Sequence, residues 1–474
     1  MGSVSSVNSL PSSLSSGGSS SSALDVSSIL QAAFGSASSG IDVTSAVNAG
    51  VATARQAENT WTSQLSLLQS QYSALSSIQG DAENLQNDLQ ALNLFSGPLS
   101  QMTVSSSNSG EVTASASMGA VAGTHVVVVN NLATTASWTS DPVAGSSSML
   151  AAGSFSITTA NGNSTKISTG TGSSTLADVG SQINAANLGL TASVITDANG
   201  ARLAIVSNTP GAAANFTVTP ESGGALGFAQ AVAGQNASVT VDGIPIASAT
   251  NQLTDSLAGL KINLLSANPG VEVTLSVSPD TSQAATALNR FVSDYNTLIA
   301  AVNNQFAFVN SSQGVLATDS SIRSLQTAMQ NATGYTWTSS SGTTFNLASF
   351  GISLNNDGTL SVDSSTLNSA LQNNLSDLQN FFIGTSLSGF AATFNNQLSI
   401  YTSAADGAFT VDLSSMQAEE QNLELNITNY ENNVIAPLQS RLQTEYSNAD
   451  AVLQQLPAET QQINALLGYY STKQ

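Results

Sequence analysis

Apolar side chains recur along residues 61–92 at Trp61, Leu65, Leu68, Tyr72, Leu75, Ile78, Ala82, Leu85, Leu89 and Leu92, a four-three spacing with one three-three slip after Leu75. That is the repeat of a coiled-coil seam. The residues between are mostly Gln, Ser, Asn, Asp and Glu, so one narrow stripe is apolar and the rest of the helix is wet. At 1.5 Å per residue the segment makes a helix about 48 Å long, and a lone helix cannot shelter such a stripe. A second seam runs over residues 416–467 through Met416, Leu423, Ile427, Tyr430, Val434, Leu438, Leu442, Tyr446, Leu453, Leu456, Ile463 and Leu467. Pro437 is expected to kink this helix, and Pro457 to begin a new turn after an extended Leu456. Burial of each Leu or Ile contributes about 1.5–3 kcal/mol, more than any intrinsic propensity difference. The two ends of the chain are therefore expected to lie side by side, with everything between them carried as an insertion.

Between the seams the apolar period changes twice. A single helix is expected over residues 41–91, capped by Asp42 or Thr44 and stopped at Gly97-Pro98. From there a period of two predicts strands over 102–104, 111–116 and 125–132, then a Ser/Gly/Pro boundary over 138–153. Strands over 154–159, 165–168, 190–197, 201–207 and 215–219 follow, with a helix over 175–186 capped by Thr175. Asp197-Ala198-Asn199-Gly200 is turn chemistry. An Ala/Gly-rich segment, 223–234, returns the chain to strands over 238–246, 260–265 and 271–277, the first closed by Asp242-Gly243. Helices are then expected over 284–309, 319–329, 364–371, 374–383 and 390–401, with a short hairpin inside 347–362.

The expected fold class is multidomain α+β: long terminal coiled-coil helices and a helical bundle, with two nested β-rich domains inserted. The expected divisions are a disordered Ser/Gly-rich extension (1–40), an N-terminal leg helix (41–97), a discontinuous first β-rich domain (98–137 with 235–280), an inserted second one (138–234), a helical bundle (281–405) and a C-terminal leg helix (406–474).

Composition removes most chemistries. The chain carries 29 acids against 8 bases, a net charge of −21, with lysine only at 166, 261 and 473. No basic patch can form, which argues against nucleic acid and anionic membrane as partners. There is no cysteine and one histidine, His125, read as a strand residue. Thiol nucleophiles, disulfides and Cys/His zinc sites are excluded. No apolar run approaches the roughly 20 residues that span a bilayer. Residues 1–40 lack a basic start and a continuous apolar run, so no Sec signal peptide is visible. Glu83, Asp88, Glu419 and Glu420 are expected on solvated helix faces, Gly170-Thr171-Gly172 lacks the lysine of a phosphate loop, and residues 354–360 read as a turn rather than a calcium loop. No catalytic, cofactor-binding or metal-binding residue is assigned, and no cofactor is expected. Function is therefore expected to reside in surfaces.

Several stretches resemble the flagellar filament cap family, hook-associated protein 2. They include Ser238-Val-Thr-Val-Asp-Gly-Ile-Pro-Ile, Asn268-Pro-Gly-Val-Glu-Val-Thr-Leu-Ser-Val, Phe291-Val-Ser-Asp-Tyr-Asn-Thr-Leu-Ile and Phe350-Gly-Ile-Ser-Leu-Asn-Asn-Asp-Gly-Thr-Leu. Gly40-Ile-Asp-Val, Ser174-Thr-Leu-Ala-Asp-Val and Ala201-Arg-Leu-Ala-Ile-Val-Ser are similar to it as well. The resemblance implies a non-enzymatic ring of identical copies, most often a pentamer, at the growing tip of the filament. There it would promote polymerisation of exported flagellin and prevent its leakage. It implies contact with flagellin and with hook-filament junction proteins, an export chaperone at the C-terminal helix, and an extracellular location reached without a Sec signal. The assembly seam is expected at Trp61, Leu65, Leu68, Tyr72, Leu75, Leu85, Leu89, Leu92, Leu423, Ile427, Tyr430, Val434, Leu438, Leu442 and Leu453. The rival reading is a surface adhesin that binds host or extracellular glycans through the β-rich domains.

Overall fold

The computed structural model describes residues 41–169, 174–223, 226–308 and 312–471. The extension 1–40 and the Gly170-Thr171-Gly172 cluster lie outside the described residues. Helix α1 (Val43–Ala52) begins at Asp42, whose carboxylate accepts the Ser45 N–H at 3.0 Å. A turn at Thr53 and Ala54 separates it from α2 (Arg55–Leu92), so the one helix expected over 41–91 is two.

Strands then run as β1 (Met102–Ser106), β2 (Val112–Ala116), β3 (Gly123–Asn131), β4 (Ser137–Ser140), β5 (Gly153–Thr159) and β6 (Ser164–Thr169). Helix α3 (Leu176–Ala185) follows, held at its start by a reciprocal Thr175 and Asp178 capping box. The chain returns through β7 (Leu190–Asp197), β8 (Gly200–Ser207), β9 (Phe216–Ser222), β10 (Phe228–Val232), β11 (Ala237–Val241), β12 (Ile244–Ser248), β13 (Gln252–Leu257), β14 (Leu260–Leu264) and β15 (Val273–Pro279). Helices α4 (Thr281–Phe306) and α5 (Ser320–Thr333) precede two small hairpins, β16 (Trp337–Thr338) with β17 (Thr344–Phe345) and β18 (Ile352–Leu354) with β19 (Leu360–Val362). Last come α6 (Ser364–Asn373), α7 (Leu375–Phe382), α8 (Phe390–Thr402), α9 (Ala408–Tyr430), a π turn (Glu431–Ile435) and α10 (Ala436–Ser471).

The described residues form two compact units, one holding residues 41–86, 294–332 and 395–471, the other falling within 87–293 and 333–394. In the second unit, two β cores separate along the chain. A five-stranded sheet in the order β1-β15-β3-β11-β12 and a three-stranded one, β13-β14-β2, enclose Val127, Val129, Val239, Ile262 and Leu275. Residues on both sides of 132–236 thus share one core. Within that interval the sheets β10-β4-β8-β7 and β6-β5-β9 close with α3 over Phe155, Ile157, Val179, Ile183, Leu203 and Ile205.

The turns follow the sequence chemistry. Asp242 and Gly243 both take positive φ between Val241 and Ile244, the two-residue hairpin that suits strand twist. The Asp242 carboxylate also accepts the Val126 N–H at 2.8 Å and meets His125 Nδ1 at 2.7 Å, which fastens the turn to β3. That contact holds the Asp242 carboxyl below its ordinary range, with the Val126 N–H adding to it. At the β7–β8 turn it is Gly200 that takes positive φ, and a Cβ there would collide with the Val143 carbonyl.

Three local expectations are corrected. Residues 138–153 do not open as a bare boundary: Trp138 lies in β4 and donates from Nε1 to the Phe216 carbonyl at 2.8 Å. The Ala/Gly-rich 223–234 segment likewise contains β10, which pairs with β4, because small residues suit a sheet edge packed under Trp138 and Phe228. Asp88 is buried rather than solvated, at 5% exposure, and Arg290 Nε reaches its carboxylate at 2.8 Å. A buried carboxylate requires such a partner. This unit also holds an aromatic cluster: Phe291, Phe381, Phe382 and Phe390 lie 5.2–6.4 Å apart, mostly edge to face, with Phe350 and Tyr335 against Phe381.

Candidate assembly interface along the terminal helices

The terminal helices form an antiparallel pair within the first unit. At one level the Ile41 N–H donates to Asp450 Oδ1 at 2.7 Å, and Val47 and Val51 of α1 close over Leu442 of α10, flanked by Val43, Leu438 and Tyr446. The approach at Gly50 is close: a Cβ there would stand 2.7 Å from Leu442 Cδ1, so that leucine would have to turn aside. Further on, the Trp61 ring meets Tyr430 edge-on at 5.4 Å, and Gln69 Nε2 donates to Glu420 Oε1 at 2.8 Å. Near the far end Thr402 donates to Gln86 Oε1 at 2.6 Å.

Both strands of the pair are irregular at the same level. At the turn of Thr53 and Ala54 the Ala54 carbonyl accepts the Tyr430 hydroxyl at 2.9 Å. Arg55 reaches Glu431 with both terminal nitrogens, at 3.0 and 3.2 Å, and Glu58 at 2.7 Å. Opposite, the π turn gives the C-terminal strand one extra residue in its turn. Pro437 follows it directly: proline has no N–H to give the Asn433 carbonyl and its ring would crowd that oxygen in an ordinary turn, and a wider turn relieves such crowding. The expected kink is thus a register change, joined to the opposing break by Arg55, Tyr430 and Glu431. Neither Arg55 nor Glu431 belongs to the apolar repeat, and the sequence signal for Arg55 is the rarity of arginine in a chain with five of them.

Within this chain the extra residue shifts the buried stripe by one position. Spacing of four and three holds from Phe409 through Leu413, Met416, Glu420, Leu423 and Ile427 to Tyr430, and then jumps by five. Val434, assigned to the seam, is 40% exposed, while Ile435 is fully buried in its place. Beyond it Leu438 is half-buried, Leu442 buried and Leu453 half-buried. Pro457 starts no new helix; α10 runs through it with Leu456 helical, because this turn is exposed and water can take the freed carbonyl.

On the N-terminal side the seam divides. Leu75, Ile78, Ala82, Leu85, Leu89 and Leu92 are at most 1% exposed and belong to the interior of this chain. Around 71–86 the first unit is a bundle: Gln71 donates to the Val315 carbonyl, Ser324 and Tyr401 share a 2.7 Å hydrogen bond, and Asp81 is pushed up by burial and by nearby Asp294. Trp61, Leu65, Leu68 and Tyr72 are only half-buried, and Leu67 beside them is 51% exposed. On the C-terminal strand Leu423 is buried, Ile427 and Tyr430 are half-buried, and Val411 and Leu425 are exposed. The apolar surface left over is therefore at 61–72 and along α9 and α10. Among the described residues no group of three His, Cys, Asp or Glu could hold a metal, and no helix is long and apolar enough to cross a membrane.

Two family models match the chain, flagellar hook-associated protein 2 N-terminus over residues 39–136 and C-terminus over residues 234–458. The chain belongs to the flagellar hook-associated protein 2 family. The B-type flagellar hook-associated protein 2 of Pseudomonas aeruginosa is 28% identical over 451 residues, 88% of this chain and 92% of that protein. The flagellar hook-associated protein 2 of Escherichia coli K12 is 28% identical over 378 residues, 73% of this chain and 80% of that one. Among solved structures, the D1-D2-D3 domains of the flagellar cap protein FliD from Escherichia coli superpose with a TM-score of 0.59 at 26% identity, covering 73% of this chain and 99% of that one. In this hook-associated protein 2 chain the fold is multidomain α+β, and its function is that of a flagellar filament cap. The adhesin reading is not favoured.

Proposed function

We propose that copies of this chain form a closed ring at the distal tip of the flagellar filament, outside the cell, where it holds exported flagellin and guides each subunit into the lattice. A pentamer is the ring the family resemblance suggests. Residues 41–97 and 406–474 act as legs, 98–137 with 235–280 and 138–234 as two β-rich domains, and 281–405 as the bundle from which the legs extend. The role is structural, with flagellin and the hook-filament junction proteins as partners and an export chaperone at the C-terminal helix.

The observation that carries this reading is the unfinished burial of the terminal helices. Trp61, Leu65, Leu68, Tyr72, Ile427 and Tyr430 keep part of their apolar surface in water inside one chain, beside exposed Leu67, Val411 and Leu425. Such surface suits contacts that are made, released and remade as subunits enter, since large buried interfaces are too stable to exchange. The test is deletion of the gene in its own organism. Hooks should remain, filaments should be missing, and flagellin monomers should accumulate in the medium. Filaments of normal length in the deletion strain would refute the proposal.

A further inference from the structure

Strand β7 is an outer strand of the sheet β10-β4-β8-β7, and only half of its main chain is used by that sheet. In an antiparallel ladder alternate residues turn their N–H and C=O toward the same neighbour. Ala201 of β8 exchanges both of its bonds with Val143, at 2.8 Å each way, and the Leu203 N–H goes to Ser140 Oγ at 2.9 Å, so these residues face away from β7. Thr196 stands opposite Ala201, Val194 opposite Leu203 and Ala192 opposite Ile205. These three residues of β7 therefore turn their N–H and C=O out of the sheet. At Ala192 the outward groups are met from α3: the Asn184 side chain accepts the N–H at 2.8 Å and donates to the carbonyl at 3.0 Å. Among the described residues nothing meets the outward groups of Val194 and Thr196.

An edge left open in this way is a template for another strand, and folded proteins commonly blunt it with proline or lysine. The edge strands β12 and β6 carry Pro245 and Lys166. Residues 193–197, Ser-Val-Ile-Thr-Asp, have neither, and Ile195 is 56% exposed. The stretch is its own complement. Laid antiparallel on a second copy about a two-fold axis at Ile195, Val194 of each strand faces Thr196 of the other, and the two pairs exchange four main-chain hydrogen bonds. Ile195 then stands opposite Ile195 in the closely spaced position, and the one charge, Asp197, falls opposite a Ser193 hydroxyl instead of a second carboxylate. Sliding the copies by two residues leaves only one residue paired with itself, because its neighbours then meet the turn or an Ala192 already held by Asn184.

We propose that β7 pairs with β7 of a second copy of this chain, joining two four-stranded sheets into one across a two-fold axis. Two-fold pairing cannot run around a ring with an odd number of copies, so this contact is separate from the leg surfaces and does not rest on the ring. Five residues a side bury far less than the roughly 1,200 Å² of a stable interface, so the pairing is weak and is read at high protein concentration.

The chain has no cysteine, so single introduced thiols report cleanly. Ile195→Cys in the full chain should give a disulfide-linked dimer under mild oxidation, since the closely spaced pair sets its Cα atoms about 4.5 Å apart, within the span a disulfide bridges. Ser193→Cys alone and Asp197→Cys alone should give about a tenth of that yield or less, yet the two mixed should crosslink to each other. Hydrogen exchange reads the same contact without a disulfide. Raising the concentration of the natural chain should slow the amides of Val194 and Thr196 severalfold and leave that of Ile195, which turns toward β8, unchanged. Thr196→Pro removes only an outward N–H and spares the β7–β8 ladder, and it should abolish the slowing at Val194. Slowing without the crosslink at 195 would assign the edge to a different strand and overturn the proposal. Exchange at Val194 and Thr196 that does not depend on concentration would overturn it whatever the crosslink yields. Neither result bears on whether the protein caps filaments, because the deletion phenotype reads that separately.

Discussion

At the scale of single residues, the acids of this chain divide by what surrounds them. Asp363 caps α6: its oxygens accept from Ser365 and Thr366 through both backbone and side chain, at 2.6–3.3 Å. The hydroxyl hydrogen bonds of Ser365 and Thr366, with their backbone N–H groups, draw its carboxyl down to about 2 from 3.8. Because the folded value is depressed, the stabilisation is present above 3.8 and fades as pH falls toward about 2. Asp363→Asn should therefore be destabilised relative to the natural chain at neutral pH, and the gap should close between those two values. Urea midpoints at pH 7, 4 and 2 check this, and a constant gap would contradict it. Asp412 goes the other way, pushed up by its burial despite the Ser321 hydroxyl that donates to it at 2.7 Å.

At the scale of elements, the π turn is the feature with the sharpest consequences. Ile435→Ala should cost about 2–5 kcal/mol, as for other buried large-to-small changes, whereas Val434→Ala should stay within about 0.5 kcal/mol. If Pro437 imposes the wide turn, Pro437→Ala lets the strand relax to ordinary helix and rotates Val434 toward the seam. In that background the Ile435→Ala penalty should shrink and the Val434→Ala penalty grow, read from denaturant midpoints of the double variants. Unchanged penalties would mean that the opposing Arg55 and Tyr430 contacts, not the proline, hold the turn open. The same element marks the limit of reading the chain by period. Strands such as β3 and β15, with alternating Val and Leu, and the Asp242-Gly243 turn are legible because local chemistry decides them. Val434 against Ile435 is not, since both are apolar and adjacent, and the choice depends on a backbone adjustment to Pro437 two or three residues later. The α1–α2 break is hidden for a similar reason: Thr53 and Ala54 carry no breaker, and the turn persists through Tyr430 and Arg55 contacts with residues almost 400 positions away. Nor could spacing tell that Leu75, Leu85, Leu89 and Leu92 are interior while Trp61 to Tyr72 stay half-wet, because a seam looks alike whether one helix or several cover it.

At the scale of the whole molecule, charge governs how copies meet. A net charge of −21 spread over a chain with only 8 basic residues means that any ring brings like-charged bodies together. Four of those basic residues are already held within the chain, Arg55 by Glu58 and Glu431, Arg290 by Asp88, Lys166 by Glu221 and Arg441 by Glu445. Attraction between copies must then come from apolar surface such as Leu67, Val411 and Leu425, which salt does not weaken, while repulsion is screened over a Debye length of about 30 Å at 0.01 M and about 8 Å at 0.15 M. Self-association should therefore strengthen as salt rises from 0.01 to 0.15 M, the reverse of an interface built on ion pairs. Sedimentation velocity over that range at fixed protein concentration reads it directly, and Leu425→Asp should abolish the salt-promoted species without unfolding the monomer, since that side chain is already in water. Association that weakens with added salt would show instead that the few cations make the contacts between copies, and would move the interface from the apolar helix faces to those cations.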